Sequence, residues 1–254
     1  MPDHRFEDHA FPEIVAHRGA PSTRPENTLA SFRAAIELGA RIVEFDVRLT
    51  RDRVPVVIHD ATVDRTTDGT GAVHELALEE IRGLDAGDGE RVPTLDEVLE
   101  LLSGRAAAAI EIKLLPGEPG FDAADDTVVR ETHAALERSA FEGPALVMSF
   151  NPAWIDVSRS LDGTVPTGFL TTTIVPPAEA LAYAAGNGHT MILPGTRALV
   201  PVGRALVDRA HAEGVRVGTW TVDEPAEVRE LLAMGVDAIA SNDPAMALGV
   251  LASR

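Results

Sequence analysis

The 254-residue chain sets 40 acidic side chains against 22 basic ones, for a formal net charge of −18, and contains no cysteine. Nonspecific adhesion to nucleic acid or to an anionic membrane is therefore disfavoured, and any site for an anionic ligand must concentrate positive charge locally. The missing thiols exclude disulfides, thiolate zinc sites and cysteine nucleophiles, while 45% hydrophobic and 24% charged residues suit one sizeable globular domain over residues 1–254.

The first dozen residues, with His4 and His9, carry charge throughout and read as a solvated leader, not a secretory signal. No apolar run reaches the ~18 residues of a membrane span, so a cytoplasmic protein without integral membrane association is expected. Residues 14–18 (IVAHR) then predict a strand, and Asn27 or Thr28 predicts the cap of a helix carried by Leu29, Phe32 and Ile36 and stopped near Gly39. Strand two follows at 42–47, and strand three at Ala106–Lys113 behind the helix TLDEVLELL. Helical residues near 122–138 lead to strand four at 145–150, and a helix near 152–160 leads to strand five, VPTGFL. After the helix PPAEALAYAAG come strand six at 190–193, a helix over 199–213, strand seven at 215–220, the helix EPAEVRELLAMG, strand eight at 236–241 and a closing helix, PAMALGVLA.

Eight strand-then-helix units predict an α/β fold of the (β/α)8 TIM-barrel type. A doubly wound open sheet would bring a Gly-rich first turn, which this chain lacks. One strand is left over, VPVVI at 54–58. It follows strand two too closely for a parallel crossover, which takes about a dozen residues or more, so TRDR is expected to turn it back as a hairpin. Residues 60–93, with Asp68-Gly69-Thr70-Gly71 and Gly87-Asp88-Gly89, then form a short, hairpin-rich insertion over the barrel mouth.

Chemistry in such barrels gathers at the C-terminal ends of the strands. His17 ends strand one, Glu44 and Asp46 end strand two, and Glu111 and Lys113 end strand three. Residues two apart share a strand face, so Glu44 and Asp46 point together from an otherwise apolar run of Ile42, Val43, Phe45 and Val47. Like charges buried side by side call for a counter-charge. Three carboxylates without a thiol make a hard oxygen site for one divalent cation, Mg²⁺ or Ca²⁺ rather than zinc. The hairpin brings His59, with Asp60 beside it, back to the same end.

These residues carry a resemblance. His17-Arg18-Gly19, Pro25-Glu26-Asn27-Thr28, Glu44-Phe45-Asp46-Val47, Thr50-Arg51-Asp52, His59-Asp60, Arg65-Thr66-Thr67, Glu111-Ile112-Lys113 and Trp220-Thr221-Val222 follow one another as in the glycerophosphodiester phosphodiesterase family. That family lies within the superfamily of phosphoinositide phospholipases C, and the chain resembles it from about residue 14 to about 244. The resemblance implies hydrolysis of a small-molecule glycerophosphodiester to sn-glycerol 3-phosphate and an alcohol, by a monomer or homodimer with no nucleic-acid partner. It matches Glu44, Asp46 and Glu111 to the metal ligands.

Phosphodiester cleavage needs a base for the attacking hydroxyl, an acid for the leaving alcohol and stabilised charge on the phosphoryl oxygens. His17 and His59 suit the proton transfers, with His59 as base and His17 as acid, an order the sequence leaves open. Arg18 and Lys113 suit the phosphate. The nucleophile is water or the substrate's own hydroxyl. Trp220, Phe150 and Phe169, at strand ends, are candidates to wall an alcohol or glycerol pocket, and Asn27 is a candidate to touch the site. His74, His133, His189 and His211 read as surface or structural. Asn242 stands where the family commonly has an acid, which puts that acid's orienting role in question. The short insertion implies a small mouth suited to soluble substrates. Two alternatives stay open: a phospholipase D-like or cyclising lyase acting on lysophospholipids, and a non-catalytic barrel that binds phosphorylated ligands.

Overall fold

The computed structural model describes residues 4, 6, 10–113, 117–122 and 124–253. Eight parallel strands close a barrel: β1 (Glu13–His17), β2 (Ile42–Leu49), β4 (Ala107–Ile112), β5 (Ala145–Ser149), β6 (Thr167–Thr171), β7 (Met191–Pro194), β8 (Arg216–Thr219) and β9 (Ala238–Ser241). Each pairs with the next, and β1 seals the ring by pairing with both β2 and β9. The ninth strand, β3 (Pro55–Val57), runs antiparallel to β2, as the short TRDR turn requires.

Because strand side chains alternate, two cores form on the two faces of one sheet. Outside the barrel, Ile14, Phe45, Ile110, Val147, Ile192 and Val217 meet the surrounding helices. Among these are α1 (Leu29–Glu37), α3 (Leu95–Leu102), α4 (Thr127–Arg138), α5 (Pro152–Leu161), α6 (Pro177–Asn187), α9 (Pro225–Met234) and α10 (Pro244–Ala252). Inside it, Val15, Ile42, Ala107, Ala109, Leu146, Met148, Leu170, Met191, Leu193 and Ala238 face one another. The insertion, with α2 (Leu78–Arg82), keeps a small core of its own around Val56, Ile58, Val63, Val73 and Ile81.

Of the two expected caps of α1, Thr28 is the one used, accepting from the Ser31 amide. Three local expectations are corrected. The helix expected over 199–213 is two, α7 (Thr196–Leu199) and α8 (Gly203–Ala212), because Pro201 cannot continue a helix. Phe169 lies outside the barrel with its ring 5.4 Å from that of Tyr183, so it does not wall the mouth. His4 is buried, its Nδ1 donating to the Gly143 carbonyl 2.9 Å away, and is not part of a solvated leader. His9 lies outside the described residues.

Candidate active site

The turn after β1 sets up the first half of the site. Arg18 takes a left-handed φ of 56° and Gly19 one of 88°. A Cβ on Gly19 would fall 2.4 Å from Ser31 Oγ. With the chain folded back so tightly, Ser31 Oγ accepts from the Ala20 amide and donates to the Arg18 carbonyl. The Arg18 amide is thereby aimed at Glu44, donating to Oε2 at 2.9 Å.

Strand register supplies the rest. His17 pairs with Glu44 across β1 and β2, and Asp46 pairs with Glu111 across β2 and β4. One oxygen from each of Glu44, Asp46 and Glu111 lies within 4.8 Å of the others, and all three residues are buried. Among the described residues Glu44 Oε1 has no hydrogen-bond partner. Asp46 Oδ1 and Glu111 Oε1 face the Lys113 ammonium, at 3.4 and 2.6 Å. An unpartnered buried carboxylate oxygen among hard oxygen donors fits a divalent cation. Burial and the Asp46 charge push Glu44 up to about 8. Burial, only partly offset by Lys113, and the other two carboxylates push Glu111 up to about 7. Asp46 is as buried, yet the Lys113 and Arg18 cations prevail and hold it at about 2.

The two histidines have unlike partners. His17 Nδ1 lies 2.7 Å from Asn242 Oδ1. The Asn242 side-chain amide and backbone amide both donate to Asp223, each at 2.7 Å. Asp223 thus turns the amide oxygen toward His17, which must donate from Nδ1, and leaves Nε2 facing Glu44 at 3.9 Å, free to carry the proton that is transferred. His59 Nδ1 instead faces the Asp60 carboxylate at 2.6 Å. Arg65 grips Asp60 on one side and Glu26 on the other. Those hydrogen bonds hold Asp60 well below the usual carboxylate range. Burial lowers the proton affinity of both rings, with Arg18 adding to the effect on His17 and Asp46 opposing it on His59.

Around these groups runs a second ring of contacts. Arg18 bonds Glu26 at 2.9 Å and lies 3.3 Å from Asp46. Asn27, freed from capping, takes a φ of 57° and donates to Asp46 Oδ2 at 2.8 Å. Trp220 is held by its Nε1 bond to the Leu193 carbonyl and meets Phe150 edge-on at 5.4 Å. Both rings line a cavity shared with His17, Arg18, Glu44, His59, Glu111 and Lys113. Every expected site residue except Phe169 is therefore brought to one mouth. Asp223 gave no signal in the sequence beyond the missing acid at Asn242, and the bracing by Glu26 and Arg65 needed the tertiary fold to be seen.

Residues 17–246 match the model of the glycerophosphoryl diester phosphodiesterase family. The chain belongs to that family. It is 35% identical over 240 residues to a glycerophosphodiester phosphodiesterase of Caldanaerobacter subterraneus, covering 91% of this chain and 94% of that one. A Bacillus subtilis glycerophosphodiester phosphodiesterase is 30% identical over 252 residues, covering 91% and 83%. Among solved structures, an Oleispira antarctica phosphodiesterase in complex with the product sn-glycerol-3-phosphate superposes with a TM-score of 0.85 at 26% identity, covering 95% of this chain and 97% of that one. Membership makes the chain an enzyme of the phosphodiesterase class. Among the described residues no helix is long and apolar enough to cross a membrane.

Proposed function

We propose that the enzyme hydrolyses glycerophosphodiesters to sn-glycerol 3-phosphate and an alcohol, with His59 as general base and His17 as general acid. The observation that carries this reading is the convergence of two differently partnered imidazoles on a buried three-carboxylate set with Arg18 and Lys113 beside it. A proton accepted by His59 is stabilised by the Asp60 carboxylate across the ring, whereas an imidazolium on His17 has only a neutral amide oxygen behind it. The first arrangement favours taking a proton and the second favours giving one up.

Glu44, Asp46 and Glu111 are the residues that would hold Mg²⁺ or Ca²⁺. When bound, such an ion supplies concentrated positive charge that stabilises phosphoryl oxygens and makes an attacking hydroxyl more acidic. Arg18 binds phosphate oxygens from the rim while its backbone amide keeps Glu44 in place. Lys113 holds Glu111 and Asp46 in register and presents its remaining donor to the substrate. Trp220 and Phe150 form the apolar wall of the mouth.

The test is a panel of glycerophosphodiesters assayed after EDTA treatment and after return of Mg²⁺, Ca²⁺ or Mn²⁺, with phosphorus NMR of the product. Formation of sn-glycerol 3-phosphate only in the presence of a returned ion is expected. A cyclic phosphate as end product would replace hydrolysis by lyase chemistry, and full turnover in EDTA would remove the metal from the reading.

A further inference from the structure

The catalytic groups occupy only the top of the space they line. A cavity of about 270 Å³ continues from His17, His59 and Trp220 down the barrel axis. Its floor is made by residues at the opposite strand ends, including Ile42, Met191, Arg216 and Ala238. Phe11, with the Arg216 guanidinium 4.4 Å from its ring centre, closes it. A barrel of this type is ordinarily filled by layers of bulky branched side chains. Here Ala109, Ala238 and Ala240 stand at lining positions, and the walls between them are Val15, Leu146, Met148 and Leu170.

Such walls offer water few partners, and the Arg216 guanidinium at the floor is engaged with the Phe11 ring. An apolar cavity accepts apolar ligands instead. Eight strands enclose it on all sides, so its occupant must be slender. At ~30 Å³ per water- or methylene-sized unit, the whole space, catalytic mouth included, corresponds to about nine units, which is an upper bound for the chain beneath the mouth. The closed floor sets an end to the chain it can take.

We propose that the enzyme's preferred substrates carry, on the alcohol ester, an unbranched hydrocarbon chain of at most about nine carbons that lies in this axial cavity. The proposal rests on the reaction assigned above and specifies its substrate class. It replaces the expectation that a small mouth means a fully polar substrate: the mouth is small, and the apolar room lies beneath it.

The experiment is the kinetics of sn-glycero-3-phospho-n-alkyl esters from methyl to dodecyl, each below its critical micelle concentration. KM should fall about two- to fourfold per added methylene, as hydrocarbon leaves water, and stop falling at or before about nine carbons. Ala238→Leu, which raises the floor, should shorten the optimum chain, and Leu146→Ala should lengthen it. In parallel, n-decanol should raise the melting temperature of the wild-type holoenzyme and do so less for Ala238→Leu. A KM independent of chain length, with no effect of n-decanol, overturns the proposal, as does an optimum unmoved in both variants when circular dichroism shows them folded. Should neither variant fold, the wild-type chain series and the n-decanol melt decide alone. Stabilisation by n-decanol without hydrolysis of any ester would sink the reaction instead and leave the cavity assignment standing.

Discussion

The mouth of the barrel has two halves built by different rules. β1, β2 and β4 contribute His17, Arg18, Glu44, Asp46, Glu111 and Lys113, packed so closely that nearly every charge touches another. β5 to β8 contribute Phe150, Leu170, Leu193 and Trp220, which touch through rings and alkyl groups around open space. The charged half does work that depends on each atom's position, because opposed charges at 3 Å in a buried setting leave little freedom. The apolar half does work that depends on volume. Substitutions should therefore act on turnover in the first half and on substrate preference in the second.

The largest break is expected at the carboxylates. Glu44→Gln or Asp46→Asn should leave no measurable turnover while the protein stays folded, since each removes a carboxylate proposed to hold the ion; Glu44→Gln also relieves repulsion from Asp46, whereas Asp46→Asn forfeits its pairing with Arg18 and Lys113. Turnover within tenfold of wild type in either variant would show that the charged half needs no ion.

Next come the histidines. His17→Ala and His59→Ala should each lower kcat by about 10²–10⁴-fold with modest change in KM, because proton transfer matters chiefly in the transition state. A p-nitrophenyl phosphodiester has a leaving group that barely needs a proton. It should rescue His17→Ala and leave His59→Ala inactive. Rescue of His59→Ala instead would reverse the roles, and rescue of neither would end the acid–base assignment.

A smaller effect is expected one contact further out. Asp223→Ala leaves the Asn242 amide free to rotate, so its oxygen no longer holds the Nδ1 proton of His17. kcat should fall on the order of tenfold, the scale set by one lost orienting hydrogen bond of ~1 kcal/mol or more, with KM unchanged. Asn242→Asp combined with Asp223→Asn keeps the hydrogen bonds but puts a carboxylate behind His17, so kcat should fall less than in Asp223→Ala while the acid limb of the pH profile moves upward. A loss in KM alone would mark Asp223 as structural.

The contrast between the halves also explains what the sequence made readable. Glu44 with Asp46, and Glu111 with Lys113, stand two apart on strands, so alternation alone puts each pair on one face. Hairpin length alone returns His59 to them. Asp223 lies on a loop 19 positions from Asn242, and no local pattern joins them. Phe169 lies on the side opposite to the expected one because both faces of a barrel strand are apolar, so VPTGFL has no polar phase that sets its direction. The axial cavity was invisible for a related reason: Ala109, Ala238 and Ala240 look like ordinary strand residues until eight strands are closed around them.

The smallest effect is on stability, and its sign is set by the charged half. Glu44 rises to about 8 on folding and Glu111 to about 7, both above their unfolded values near 4.5. A group raised on folding contributes its full stability below the unfolded pKa and loses it as pH climbs through the folded one. The ion-free protein should therefore melt at progressively lower temperature between pH 7 and pH 9. His17 and His59 are lowered on folding, so their contributions are lost only as pH falls below about 6.5 and stay constant across this window. Asp46, held at about 2, is ionised throughout. At roughly 2–4 °C per kcal/mol for a chain of this size, the decline should be a few degrees, smaller in Glu44→Gln, and reversed by a millimolar divalent cation, which binds the deprotonated carboxylates. Melting that is flat or rising from pH 7 to pH 9 without the ion would mean that the three carboxylates are not crowded together as described, and the apolar half would then be the better understood of the two.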